Sequence, residues 1–345
     1  MPHTDLYCII VFMINKKNYI VLDLEWNQSS EKAEENAEIP FEILEIGAVK
    51  LNDRKEIVDT FMSYVKPQVY LKMHHMTQKV IHLKMEELKD ADTFPIVWER
   101  FLKWCGEDYI FCTWGTLDLT ELQYNIRYHK LPPLSDGPIA YLDVQKLFSL
   151  EKEDGKSRRA LEYAVDFMKL EKDDRFHRAD SDAYYTAEIL SKLSKTVESR
   201  VSFDVFHLPK DRKSELLVQF DTYSKYISRK FPDKASALSD PDASSLRCYI
   251  CKRNTKKKIG WFTLNNKHYL GLGVCAEHGP MHGKLRIKKA EDGSIYVVKT
   301  IRRATKEDEN GLKTREKKAR IQASKLAKMF RNQTYRIRKN NGDHA

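Results

Sequence analysis

Three early stretches carry the period of a pleated strand. They are YIVLDLE (19–25), EILEIGAVKL (42–51) and EIVDTFMSYV (56–65), rich in β-branched and aromatic residues, with NDRK (52–55) as a turn between the last two. Alternation of this kind, closely spaced, predicts an antiparallel meander. The period then changes. FPIVWERFLKWC (94–105) places Phe94, Val97, Trp98, Phe101 and Leu102 on one helical stripe. A short strand (109–114) leads to a helix opening near Asp118, IAYLDVQKLF (139–148) reads as a strand running into a helix, and helices are expected over 158–168 and 179–193. Strands first, then strand–helix alternation, predict a mixed sheet covered by helices, an α/β fold.

Beyond Leu193 the pattern weakens. DRKSELLVQFDTYSKYISRKF (211–231) reads as an amphipathic helix and PDKASALSDPDASS (232–245) as a linker. Two hairpin-like stretches follow, around WFTLNNKHYLGLG and KLRIKKAEDGSIYVVKTI, and a basic helix is expected over 312–330. The expected organisation is an α/β domain over 18–195, a helical connector and linker over 196–245, and a small β-rich module with a basic helix over 246–345.

Composition adds a compartment and a polarity. At 345 residues and 41% hydrophobic, the chain is long enough for two domains. Its longest apolar run, Leu6–Ile14, falls far short of the ~20 residues of a membrane span. No basic residue precedes that run and no small-residue cleavage site follows it, and Met13 reads as an alternative start. A cytoplasmic protein without membrane association is expected. From Leu246 onward there are 26 Lys and Arg against 8 Asp and Glu, leaving 34 against 42 in the rest. An acidic body with a basic tail suggests chemistry in one part and polyanion capture in the other.

The strand 19–25 ends in Asp23 and Glu25, which share a face at positions i and i+2 and repel. Two more acids occur in suggestive places: Asp118 at a helix start in TWGTLDLTEL, and Asp182 on the helix after His177 in HRADSDAYYTA. Four converging carboxylates suit a pair of Mg²⁺ or Mn²⁺ ions, which clamp the attacking and leaving oxygens of a phosphoryl displacement. His177, five residues before Asp182, supplies a base that titrates near neutrality. Asp143 reads as a helix-entry cap, and Glu45 as a partner in a structural hydrogen bond that could also approach the metal site.

These residues resemble the DEDDh family of 3′→5′ exonucleases, the DnaQ-like branch of the ribonuclease H-like fold. DLE is similar to its first motif, WGTLD to its second and HRADSDA to its third, with FEILEIGAVKL as the strand that follows the first. VKPQVYLKMHHMTQKVIHLKMEEL, with Trp98 and Trp104, resembles the branch of small-RNA-trimming, histone-mRNA-trimming and KapD-type proteins. The resemblance implies a five-stranded mixed sheet flanked by helices and release of 5′-mononucleotides from free 3′ ends. It also implies that Asp23 bridges two metals, Glu25 and Asp182 hold the one that activates water, Asp118 serves the other through water, and His177 is the general base. Leu24, Trp26, Asn27 and Trp114 are expected at the substrate, Asn27 standing where many members have Thr.

A second metal set lies late in the chain. Cys248, Cys251, Cys275 and His278 form C-x2-C and C-x2-H pairs separated by 23 residues, the spacing of a structural Zn²⁺ site, with His268 or His282 as alternatives for the fourth ligand. The reading is a metal-dependent 3′→5′ exonuclease, acting on RNA more than DNA, with a zinc-bearing basic module. That module is expected to hold nucleic acid or to dock on a ribosome or other RNA-rich particle. Two rivals stand: a single-stranded DNA exonuclease of repair, and a catalytically idle RNA- or ribosome-binding adaptor.

Overall fold

The computed structural model describes residues 18–81, 83–172, 177–198 and 200–342. The apolar run before Asn18, with Met13, lies outside them. The chain divides into two compact units, one ending at His207 and the other beginning at Leu208.

In the first unit, Asn18–Asn27 forms β1, and Glu42–Asn52 (β2) and Ile57–Tyr64 (β3) make the expected meander. Helices His75–Ile81 (α1) and Phe94–Cys105 (α2) precede Tyr109–Thr113 (β4), which pairs parallel with β1. Leu117–Tyr128 (α3) then leads to Ile139–Asp143 (β5), parallel to β4. Helices Val144–Lys152 (α4), Leu161–Phe167 (α5), Ala179–Lys192 (α6) and Lys195–Glu198 (α7) follow. Ser202–Asp204 (β6) closes the unit, antiparallel to β5.

The sheet order is β3-β2-β1-β4-β5-β6, so β1 is central, and burial on both faces is why it reads as a nearly continuous apolar run. The sheet is mixed, as expected, but has six strands rather than five. The sixth is three residues long, too short to leave a pattern. On one face Phe94, Val97, Trp98 and Phe101 of α2 pack onto Ile20 and Leu22 of β1. Leu102, on the predicted stripe, is 36% exposed, and Cys105 is buried instead.

The second unit corrects the expected domain plan. No helical connector spans 196–245. Leu216–Gln219 (β7) and Tyr223–Ile227 (β8) form a hairpin. Lys234–Ser239 (α8) follows, then Lys256–Thr263 (β9), His268–Cys275 (β10), Gly279–Lys289 (β11), Ile295–Arg303 (β12) and Lys306–Gly342 (α9). The strands make one antiparallel sheet in the order β7-β8-β12-β11-β10-β9. The module expected from residue 246 therefore starts near Leu208.

The misreading has a physical cause. Glu215 and Arg229 look like solvated charges on a helix, but Glu215 is buried and takes hydrogen bonds from Arg229 Nη1 (2.6 Å) and Tyr226 Oη (2.7 Å) across the hairpin. The linker-like 232–245 is tied down too. Asp233 caps α8, and Asp240 binds both Arg212 (3.0 Å) and Arg229 (2.9 Å).

One close approach in the first unit is specific to glycine. A Cβ on Gly47 of β2 would lie 2.0 Å from the carbonyl carbon of Ala179 and 2.3 Å from the Asp180 nitrogen, both backbone atoms of the first turn of α6. Gly47→Ala is expected to destabilise the unit by at least the ~1–3 kcal/mol of overpacking. At roughly 2–4 °C per kcal/mol for a unit of this size, thermal denaturation should show a Tm lower by several degrees.

Candidate active site

In β1, Asp23 stands opposite Gly47 and Glu25 opposite Glu45, and a bulge follows Glu25 that ends the regular register. Asp182 enters from the first turn of α6, the helix that Gly47 admits. Carboxylate oxygens of Asp23, Glu25 and Asp182 all lie within 4.8 Å of one another. Asp118, buried in the first turn of α3, accepts a hydrogen bond from the backbone N–H of Leu24 and adds its field to Asp23.

The electrostatics follow from the crowding. Burial, then the charges of Asp118 and Glu25, hold the Asp23 carboxyl well above the usual carboxylate range. Burial, then Asp182, pushes Glu25 up to about 9, and Asp118 is raised to about 7, mainly by burial. These are carboxyl groups that resist ionising unless a cation joins them.

His177 adopts φ +64°, and its backbone N–H lies 3.4 Å from Asp182 Oδ1. The four acids and His177 line one cleft of about 490 Å³, whose wall also includes Trp26, Trp114 and Leu161. Trp26 packs against Phe41, and the Trp114 indole N–H donates to the Arg159 carbonyl at 3.0 Å, fixing a ring at the cleft edge. Leu24 borders the cleft but is a core residue, 3% exposed.

Asn27 departs from the expectation. It is fully buried, its Nδ2 donates to the carbonyls of Tyr70 (3.1 Å) and Lys72 (2.8 Å), and its Oδ1 accepts from the His74 N–H (2.9 Å). Its amide clamps the 70–74 loop and does not line the cleft. Asp143 does cap α4, accepting from the Lys146 N–H.

Sequence reasoning missed Arg178. It sits between His177 and α6, and its guanidinium binds the fully buried Glu45 at 3.0 and 3.2 Å and the Tyr64 hydroxyl at 2.6 Å. This bidentate pair fastens the entry of α6 to β2 and β3, and so orients both His177 and Asp182. The signal was an acid mid-strand in an otherwise apolar run, which needs a partner when buried.

In the second unit, one ligand atom each from Cys248, Cys251, Cys275 and His278 lies within 4.8 Å of the others. Cys251 and Cys275 sulfurs are 3.6 Å apart, and His278 Nδ1 is 3.6 Å from Cys248 and 3.7 Å from Cys275. A tetrahedron with metal–sulfur bonds of ~2.3 Å has edges of about 3.8 Å, so the set fits a thiophilic ion. Backbone N–H groups of His278 and Glu277 hold the Cys275 thiol down to about 6, and that of Arg253 lowers Cys251. The alternative ligands lie elsewhere: His282 Nδ1 is 3.9 Å from Asp308, and His268 contacts Asn265.

A family model described as Exonuclease matches residues 20–190. The rat 3′-5′ exoribonuclease 1 is 23% identical over 168 residues, 46% of this chain and 48% of that protein. The probable 3′-5′ exonuclease KapD of Bacillus subtilis (strain 168) is 26% identical over 131 residues, 36% of this chain and 61% of that one. The chain thus spans about half the length of the first relative and under two thirds of the second. Among solved structures, the nuclease domain of a DEDDh family member bound to rAMP aligns at 22% identity and TM-score 0.45, covering 52% of this chain and 92% of that one. Over residues 20–190, just under half of its length, the chain is similar to the Exonuclease family.

Proposed function

We propose that this protein is a divalent-metal-dependent 3′→5′ exonuclease that removes 5′-mononucleotides from RNA. The convergence of Asp23, Glu25 and Asp182 within 4.8 Å, beside Asp118 and His177 in one cleft, carries the reading. An all-oxygen donor set of this charge fits hard cations such as Mg²⁺ or Mn²⁺. Asp23, Glu25 and Asp182 would hold one, with Asp23 and Asp118 toward a second. When bound, the cations neutralise charge at the scissile phosphodiester and acidify the attacking water.

The protein's own groups do the rest. The His177 imidazole, on the cleft wall, accepts the proton of the attacking water. Arg178, held by Glu45, is a positioning residue that keeps His177 and Asp182 aimed at the acids. The Trp26 and Trp114 rings flank the cleft, where they offer faces to the terminal bases. The preference for RNA comes from the exoribonuclease among the relatives. Zn²⁺ on Cys248, Cys251, Cys275 and His278 would be structural, because four protein ligands leave no open position.

End-labelled RNA and DNA of matched sequence, with Mg²⁺, Mn²⁺ or chelator, test the reading. Mononucleotides are expected from RNA only with metal. Asp23→Asn is expected to slow release at least ~100-fold, the scale of losing one preorganised electrostatic group. DNA cut as fast as RNA would move the substrate to the first rival. Tight RNA binding with no product under either metal would leave an idle adaptor.

A second expectation concerns the metal-free protein. Glu25 and Asp118 have folded-state pKa values raised to about 9 and about 7, above ordinary carboxylates. Their contribution is therefore fully present below the unfolded values of 4.5 for Glu25 and 3.8 for Asp118, and lost as pH rises through about 7 for Asp118 and about 9 for Glu25. In chelator, Tm should fall across that window. Saturating Mg²⁺ should flatten the fall, and calorimetry at pH 7 should record protons released on metal binding. A metal-independent Tm profile would count against the site.

A further inference from the structure

The second unit has two sheet faces with different fates. One is covered: Tyr226, Leu285 and Val297 pack with Phe231, Ala237 and Ala243, the last three lying outside the strands. On the other, direct cross-strand partners form rows. Lys225 pairs with Thr300, Thr300 with Lys284, Lys284 with Leu270 and Leu270 with Phe262. The next row runs Ile227, Val298, Arg286, His268. Residues directly opposite in antiparallel strands share a face, so on this face the cations Lys284 and Arg286 of β11 adjoin the His268 ring of β10 and, one strand further, Phe262 of β9, with Lys225 on β8. At ~4.8 Å per strand that is a surface about 20 Å wide.

The helix α9 covers one end of this face, seating Leu312 on Ile259 and Leu272 with Leu270 and Phe262 packed against them and only partly exposed, and Ile227 at the β8 side is buried. Beyond Leu312, most α9 side chains up to Lys325 are exposed, and Arg286 is exposed as well. Neither Lys284 nor Arg286 has a carboxylate partner among the described residues. Burial, then Arg286, lowers the Lys284 pKa, and burial, then Arg286 and Lys284, lowers that of His268.

We propose that this open sheet face is a platform for single-stranded nucleic acid, with Lys284 and Arg286 on phosphates and His268 and Phe262 beneath bases. Cations on one strand beside rings on the next match a charged backbone with stacked bases, which an acidic peptide does not combine. The unit's charge agrees: from Leu208 onward there are 33 Lys and Arg against 14 Asp and Glu. The sequence had pointed to the basic tail as a whole. The structure assigns the contact to the sheet. The inference stands apart from the catalytic reading, since binding is measured without cleavage.

The test is fluorescence anisotropy of a labelled oligopyrimidine RNA with the full-length Asp23→Asn protein in chelator. Lys284→Gln with Arg286→Gln is expected to weaken binding about 10-fold and to reduce the log–log salt slope by about 1.4, two phosphate contacts at ~0.7 each. His268→Ala is expected to cost about fivefold, the low end of base stacking. The matched pair Lys317→Gln with Lys318→Gln, exposed on α9, should change little. Wild-type affinity and slope in the sheet variant would overturn the proposal, as would an equal loss in the α9 variant. So would duplex RNA bound as tightly as single strand, or a polyglutamate peptide that competes as well as RNA.

Discussion

Three carboxylates within 4.8 Å of one another, two on the central strand of a sheet and one on the helix laid against it, are a costly arrangement. At an effective dielectric near 20, each fully ionised pair at that distance repels by roughly 3.5 kcal/mol. Three such pairs come to about 10 kcal/mol, as large as the whole stability of an ordinary domain at ~5–15 kcal/mol. The fold can hold these groups only if protons or cations offset the repulsion, and the raised carboxyl pKa values are the proton half of that alternative. A geometry that penalises the empty charged state is one that favours a cation strongly. The convergence therefore reads as a binding site rather than as a surface accident.

Holding like charges together requires fixed points that are not themselves acids in the cluster. Gly47 lets the backbone of α6 lie directly on β2, with no room for a methyl group. Glu45 and Arg178 then pin the start of that helix from the side, in a pair whose acid is fully buried. Breaking a buried pair by removing one partner leaves an uncompensated charge, so the pair resists displacement in a way a surface ion pair does not. Asn27 does similar work at the C-terminal end of β1, just past Glu25, spending its amide on the 70–74 loop. Residues next to the chemistry in sequence are here divided between the cleft and its scaffold.

That division marks what was legible in the sequence. The strands of the meander, the α2 stripe and the acids could be read directly, because period and charge at a strand end are local signals. The family resemblance supplied their joint meaning. Arg178 was not legible, because its importance lies in a partner 133 residues away. Asn27 was misread for the complementary reason: the resemblance put it where many members carry a Thr at the substrate, whereas the bulge after Glu25 breaks the alternation and turns its side chain into the scaffold. In the second unit, Glu215 and Arg229 made a strand hairpin look like an amphipathic helix, since a charge pair buried by tertiary contacts has the same composition as one in water.

The cysteine cluster and the open sheet face bear on each other through the same strands. Cys275 ends β10 and His278 directly precedes β11, so the ligand pair closes the very hairpin that carries Leu270, Lys284 and Arg286. An ion held there would fix the β10–β11 register from its turn. In a sheet with period two, a slip of one residue would send Lys284 and Arg286 to the covered side and Leu285 outward. With an ion bound, the knuckle and the basic row would act together: register set at the knuckle would decide which face carries Lys284 and Arg286.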